Sequence, residues 1–111
     1  GALSGNVRFL SSDKRKSLHL AAVFACNFTN HIYALAVKIL QGQEIPADVL
    51  LPLIDETAAK VHTMTPAEAQ TGPAIRYDEN VINKHLAMLD DPDMRSVYQL
   101  ISQSIHKEAQ I

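Results

Sequence analysis

Between residues 18 and 37 the chain carries no Asp, Glu, Lys or Arg, and no Pro or Gly interrupts it from Ser11 until Gly42. Ser11 and Ser12 are suitable N-caps, Asp13 suits the positive end of a helix, and Gly42 fits a helix stop. The pattern predicts one long helix. At 1.5 Å per residue, some 30 residues extend about 45 Å, whereas a compact chain of this size has a radius of gyration near 13 Å, roughly. Around Leu20, Ala21, Ala22, Val23, Phe24 and Ala25 the helix is apolar on most sides and needs cover all round. A second subunit or a second domain is the expected cover.

A stretch of about 20 uncharged residues is also long enough to cross a bilayer. His19, Asn27, Thr29, Asn30 and His31 argue against a span, because each would need a partner inside hydrocarbon. A buried helix of a soluble protein is expected instead. The N-terminus lacks the basic, apolar and small-residue sequence of a secretory signal, and Gly1 in place of a starting Met suggests a trimmed chain. Cys26 is the only cysteine, so no internal disulfide can form and a reducing, cytoplasmic setting is the expectation. With 111 residues, 47% of them hydrophobic, and a formal net charge of -2, the chain fits one soluble domain. Nucleic acid is not an expected partner, since phosphate binding needs a basic surface and Lys14, Arg15 and Lys16 form the only basic run.

Upstream, Leu3, Val7, Phe9 and Leu10 alternate beside Gly5, a short extended run that needs a sheet to pair with. Residues 1–10 are therefore read as a linker or the remnant strand of a preceding sheet domain, and residues 11–111 as one helical domain. Downstream, Pro46 opens a helix holding Val49, Leu50, Leu51, Leu53, Ile54, Ala58 and Val61, and Pro52 forces a kink or fresh start before the main helix runs to about Met64. Thr65, Pro66, Ala67 and Glu68 spell a capping box. After the break at Thr71, Gly72 and Pro73, Asp78 caps a helix with Val81, Ile82, His85, Leu86 and Leu89. Asp91 and Pro92 start a last one, with Met94, Val97, Tyr98, Ile101 and Ile105 on its apolar face. The fold class is all-α.

Two constellations could carry chemistry. Taken at about 100° per residue, His19, Asn27, Asn30 and His31 share one side of the first helix, with Ser12, Lys16, Lys38 and Gln41. Asn offers a donor and an acceptor and His exchanges a proton near neutral pH, which suits catalysis; a water-facing stripe, or core groups satisfied by the backbone, would give the same pattern. The second is the loop of Gln70, Thr71, Gly72 and Pro73 followed by Arg76, where backbone amides and a guanidinium could meet an anionic or carbonyl group. The alternative is a plain helix end, with Arg76 paired to Asp78 or Glu79. The five histidines form no i to i+3 or i+4 pair, so no metal is expected, and Cys26 reads as an inert thiol in a helix interior. No Gly-x-Gly-x-x-Gly, Walker-type loop or Gly-x-Ser-x-Gly elbow occurs, so this chain is not expected to bind a nucleotide or catalyse a reaction alone.

At Leu18-His19-Leu20-Ala21-Ala22-Val23-Phe24-Ala25-Cys26-Asn27-Phe28-Thr29-Asn30-His31 and Ala69-Gln70-Thr71-Gly72-Pro73-Ala74, with His85-Leu86 and the Tyr98 helix behind, the chain resembles the bacterial family called domain of unknown function 2520. The resemblance implies a helical domain that follows a Rossmann-like NADP-binding domain, similar to the 6-phosphogluconate dehydrogenase C-terminal-like domains whose helices form a dimer. It is also similar to the arrangement in ketopantoate reductases and hydroxyacid dehydrogenases, although His19 stands where their Lys would be sought and Val23 falls within the Asn spacing.

The resemblance thus implies the C-terminal dimerisation and substrate-site domain of an NAD(P)-dependent oxidoreductase, inactive without its Rossmann domain. NADP(H) or NAD(H) would be bound by the full-length protein and not by this domain. His19 would donate or orient a proton, Asn27 and Asn30 would hold a carbonyl or carboxylate, and Gln70, Thr71, Gly72 and Arg76 would complete the cleft for a small-molecule substrate. The expected partners are a second copy through the first helix and the Rossmann domain. The rival is a non-catalytic helical interaction module that docks a partner protein; a metal or redox sensor built on Cys26 and histidines is the third reading.

Overall fold

The computed structural model describes residues 10–110, so the expected extended run over residues 3–10 lies outside it apart from Leu10. Every regular element among the described residues is helical: α1 (Ser12–Ala22), a π-helical segment (Val23–Phe28), α2 (Thr29–Gln41), a 3-10 turn (Ala47–Leu50), α3 (Leu51–Lys60), α4 (Pro66–Ala69), α5 (Glu79–Ala87) and α6 (Pro92–Ala109). The chain is all-α, as its periodicity predicts. It falls into two compact units, Gly1–Ala47 and Asp48–Ile111, a division that the composition does not announce.

In the first unit, α1, the π segment and α2 run on as one helix, Ser12–Gln41. Lys14 N donates to Ser11 Oγ at 3.3 Å, which fixes the N-cap. The uniform α-helix expected from sequence is interrupted by the six-residue π segment. Thr29 accounts for it locally: its hydroxyl donates to the Phe24 carbonyl, five residues back, at 3.2 Å. A carbonyl engaged at that spacing holds the wider turn.

The helix ends as a Schellman motif. Ile45 N donates to Leu40 O at 3.0 Å and Glu44 N to Gln41 O at 3.1 Å, the nested pair that satisfies the last carbonyls. The left-handed residue is Glu44, at φ 57, whereas Gly42 is still helical at φ -61. Gly42 therefore marks the helix end by proximity and not by supplying the special backbone.

No residue of this helix is buried. Leu20 is 60% exposed, Phe24 62% and Phe28 52%, so the buried helix expected from sequence is not buried within its own unit. By length and composition, with a mean hydropathy of 1.4 over its most apolar 18 residues, it is apolar enough to cross a membrane.

The second unit follows its local signals closely. Pro52 sits in the first turn of α3, after a separate 3-10 turn, so the chain restarts there. The helix stops at Lys60, short of the expected Met64, and residues 61–64 turn with Met64 N donating to Lys60 O at 3.0 Å. Asp78 accepts from Val81 N at 3.4 Å and Asp91 from Met94 N at 3.2 Å, capping α5 and α6.

Ala74, Ile82, Leu86 and Ser102 are the buried residues of this unit. Arg95 locks α6 to the end of α5, its Nη1 donating to the Leu86 carbonyl and, at 3.3 Å, to the Leu89 carbonyl. It thereby satisfies acceptors that a helix C-terminus leaves open. Ser102, 7% exposed, takes the core position on α6 in place of the expected Ile101, which is 44% exposed. A small side chain permits close approach of neighbouring backbone, and no buried side-chain polar atom among the described residues lacks a partner.

Candidate functional site

The residues singled out from sequence lie in both units, and each group is described by itself. His19 is on α1, Asn27 in the π segment and Asn30 on α2, and all three side chains are exposed. In a uniform α-helix His19 and Asn30 would lie about 20° apart around the axis. The π segment changes that count, because its wider turns absorb roughly one surplus residue and turn everything after Phe28 back by about 100°. His31 then falls within about 20° of His19, with Asn27 close to the same line, while Asn30 moves some 80° away.

Along the axis His19 stands about 12 Å from Asn27 and about 16 Å from Asn30. One small molecule cannot touch all three. Asn27 with Asn30 and His31, roughly one turn on, is the group that one small ligand could span. Cys26 lies in the same π segment with its thiol exposed, not in an apolar interior. Among the described residues no group of three or more His, Cys, Asp or Glu gathers as a metal site would.

In the second unit, Gln70, Thr71, Gly72 and Arg76 fall in one loop between α4 and α5. The loop has a defined shape. Gly72 sits at φ 106, a conformation open to glycine, and Tyr77 at φ 48, which is unusual for a bulky residue. Asp78 N donates to Pro73 O at 2.9 Å, and Gln70 Nε2 to Thr71 O at 3.1 Å. Arg76 is exposed and makes no ion pair with Asp78 or Glu79.

His106 on α6 anchors this loop, which the sequence did not reveal. Its Nδ1 lies 3.0 Å from the Ile75 carbonyl, and since a carbonyl only accepts, Nδ1 carries the proton. The ring also packs against Tyr77, with centroids 5.4 Å apart. A contact 31 residues away along the chain leaves no spacing signature to read. His85 Nδ1 and the Tyr98 hydroxyl, 2.7 Å apart, are a second pair of this kind. Burial raises the Tyr98 hydroxyl above its ordinary 10.0.

An open cleft of about 620 Å³, within the size range of small-molecule sites, lies between α4 and the last turns of α6, lined by Glu68, Gln70, Ile75, Ser104, Ile105 and Glu108 among others. Gln70 is the one predicted residue that lines it. Glu68 is held by the capping box: Thr65 N donates to Glu68 Oε1 at 3.0 Å, the Thr65 hydroxyl donates to it at 2.8 Å, and Glu68 N donates back to Thr65 Oγ1 at 3.2 Å. The Thr65 backbone bond first, and the hydroxyl second, lower its carboxyl below the ordinary value.

Over residues 1–105 the chain matches a family model described as domain of unknown function (DUF2520). It is similar to the solved structure of a protein from Bacteroides fragilis provisionally named an NADP oxidoreductase, with 66% identity and a TM-score of 0.86 over 88% of this chain. The chain spans 38% of that protein's length. No curated protein matches it.

Proposed function

The chain belongs to the family of the domain of unknown function 2520, and on that premise we propose that it is the C-terminal dimerisation and substrate-site domain of an NAD(P)-dependent oxidoreductase. The observation that carries the reading is the 66% identity to a protein that bears an oxidoreductase name and is more than twice as long. Part of that extra length would be a Rossmann domain preceding this one. The residues described here do not fit a dinucleotide: no strand feeds a glycine-rich turn, Gly42 is helical and Gly72 lies in a loop. NADP(H) or NAD(H) would accordingly be held outside this chain, in a bacterial, cytoplasmic protein.

Under this reading Asn27 and Asn30 hold a substrate carbonyl or carboxylate with His31 beside them, and His19, two turns away, orients or donates a proton from a second position along the groove. Gln70, Thr71, Gly72 and Arg76 contribute a backbone-and-guanidinium rim. The first helix pairs with a second copy. The exposure of His19, Asn27, Asn30, Thr71 and Arg76 favours the second reading, a non-catalytic interaction module, for this chain taken alone.

The whole protein should bind NADPH and run as a dimer, whereas residues 1–111 alone should bind no NADPH. A whole protein that fails to bind either nicotinamide nucleotide would remove the oxidoreductase reading and leave the module.

A further inference from the structure

We infer that the π segment is a register device: it makes the apolar stripe of the first helix continuous, so that a second copy of the chain can pair along its full length. This rests on the dimer proposed above. Leu20, Phe24, Phe28 and Ile32 recur every fourth residue, and in an α-helix a step of four drifts by about 40°, so three such steps spread the set over about 120°. The surplus residue in Val23–Phe28 takes that drift back. With it, Leu20, Phe24, Phe28, Ile32 and Ile39 lie within about 60° of one another over about 28 Å of helix. These five are the exposed large apolar residues of that helix.

The occupant is a second copy for two reasons. The stripe lies almost wholly within residues 18–37, which carry no Asp, Glu, Lys or Arg, so the same stripe of a second copy covers it without stranding a charge. Its middle is the edge-to-face pair Phe24–Phe28, with centroids 5.0 Å apart, at 62% and 52% exposure. A two-fold axis there sets aromatic against aromatic, the arrangement of a hot spot in an isologous interface.

Sedimentation equilibrium on the intact protein and two variants tests the device, with phosphatidylcholine vesicle flotation alongside. Deleting Cys26 should let the segment close into ordinary α-helix with the stripe still aligned, leaving the dimer dissociation constant within about threefold. Inserting one Ala after Cys26 turns α2 out of line and should weaken the dimer at least tenfold. If the deletion dissociates the dimer, or neither change affects it, the device is wrong while the dimer stands. A wild-type monomer, or one that floats with vesicles, overturns the dimer and the device together.

Discussion

At the scale of the residue, Gly42 and Glu44 show how a correct helix stop can rest on the wrong atom. Gly is the usual left-handed residue after a helix, so Gly42 reads as that residue, yet the Schellman hydrogen bonds put the left-handed backbone on Glu44. A side chain in that conformation costs about 1 kcal/mol, and glycine within a helix costs about 0.5 to 1 kcal/mol relative to alanine. Glu44→Gly should therefore stabilise the protein by roughly 1 kcal/mol. Gly42→Ala should also stabilise it, by about 0.5 kcal/mol, because a Cβ there meets the Ile39 carbonyl oxygen at an ordinary 3.4 Å. Urea midpoints for both variants check this; a lower midpoint for Gly42→Ala would mean that the glycine carries the left-handed turn after all.

At the scale of the element, what could be read in advance was what is local. The Thr65–Glu68 box, the Asp78 and Asp91 caps and the restart at Pro52 each involve partners within four residues, and side-chain chemistry at that range is set by spacing alone. The π segment was not legible, since a threonine inside a helix ordinarily reaches the carbonyl three or four residues back, and Thr29 reaches the fifth. The π segment shifts the angles around the helix, bringing His31 into line with His19 and turning Asn30 away from it. The loop of residues 70–78 was predicted by composition but not its anchor, His106. Removing that donor in His106→Ala forfeits about 1 kcal/mol, so amide exchange of the loop should quicken roughly fivefold. His106→Asn, whose amide nitrogen takes the place of Nδ1, should restore the slower rate. Equal exchange in wild type and alanine variant would show that the ring does not hold the loop.

At the scale of the whole molecule, the helical class and the long first helix followed from periodicity and from an uninterrupted, uncharged stretch, and the family resemblance followed from two separated motifs. The division at Ala47 was not read, although Gly42 and Pro46 lie just before it, because breakers mark the ends of helices and say nothing of which helices pack together. Helices of this kind draw most of their stability from a packed apolar face, and Leu20, Phe24 and Phe28 have none within their own unit. Acquiring shape and acquiring a mate then become one event for residues 12–41. Diluted from denaturant, α3 to α6 should recover at a rate indifferent to protein concentration, while the Phe24 region recovers faster as concentration rises. Rapid-mixing experiments with a fluorophore on Cys26 should find that second-order phase, and a concentration-independent rate there would show that the long helix matures in solitude.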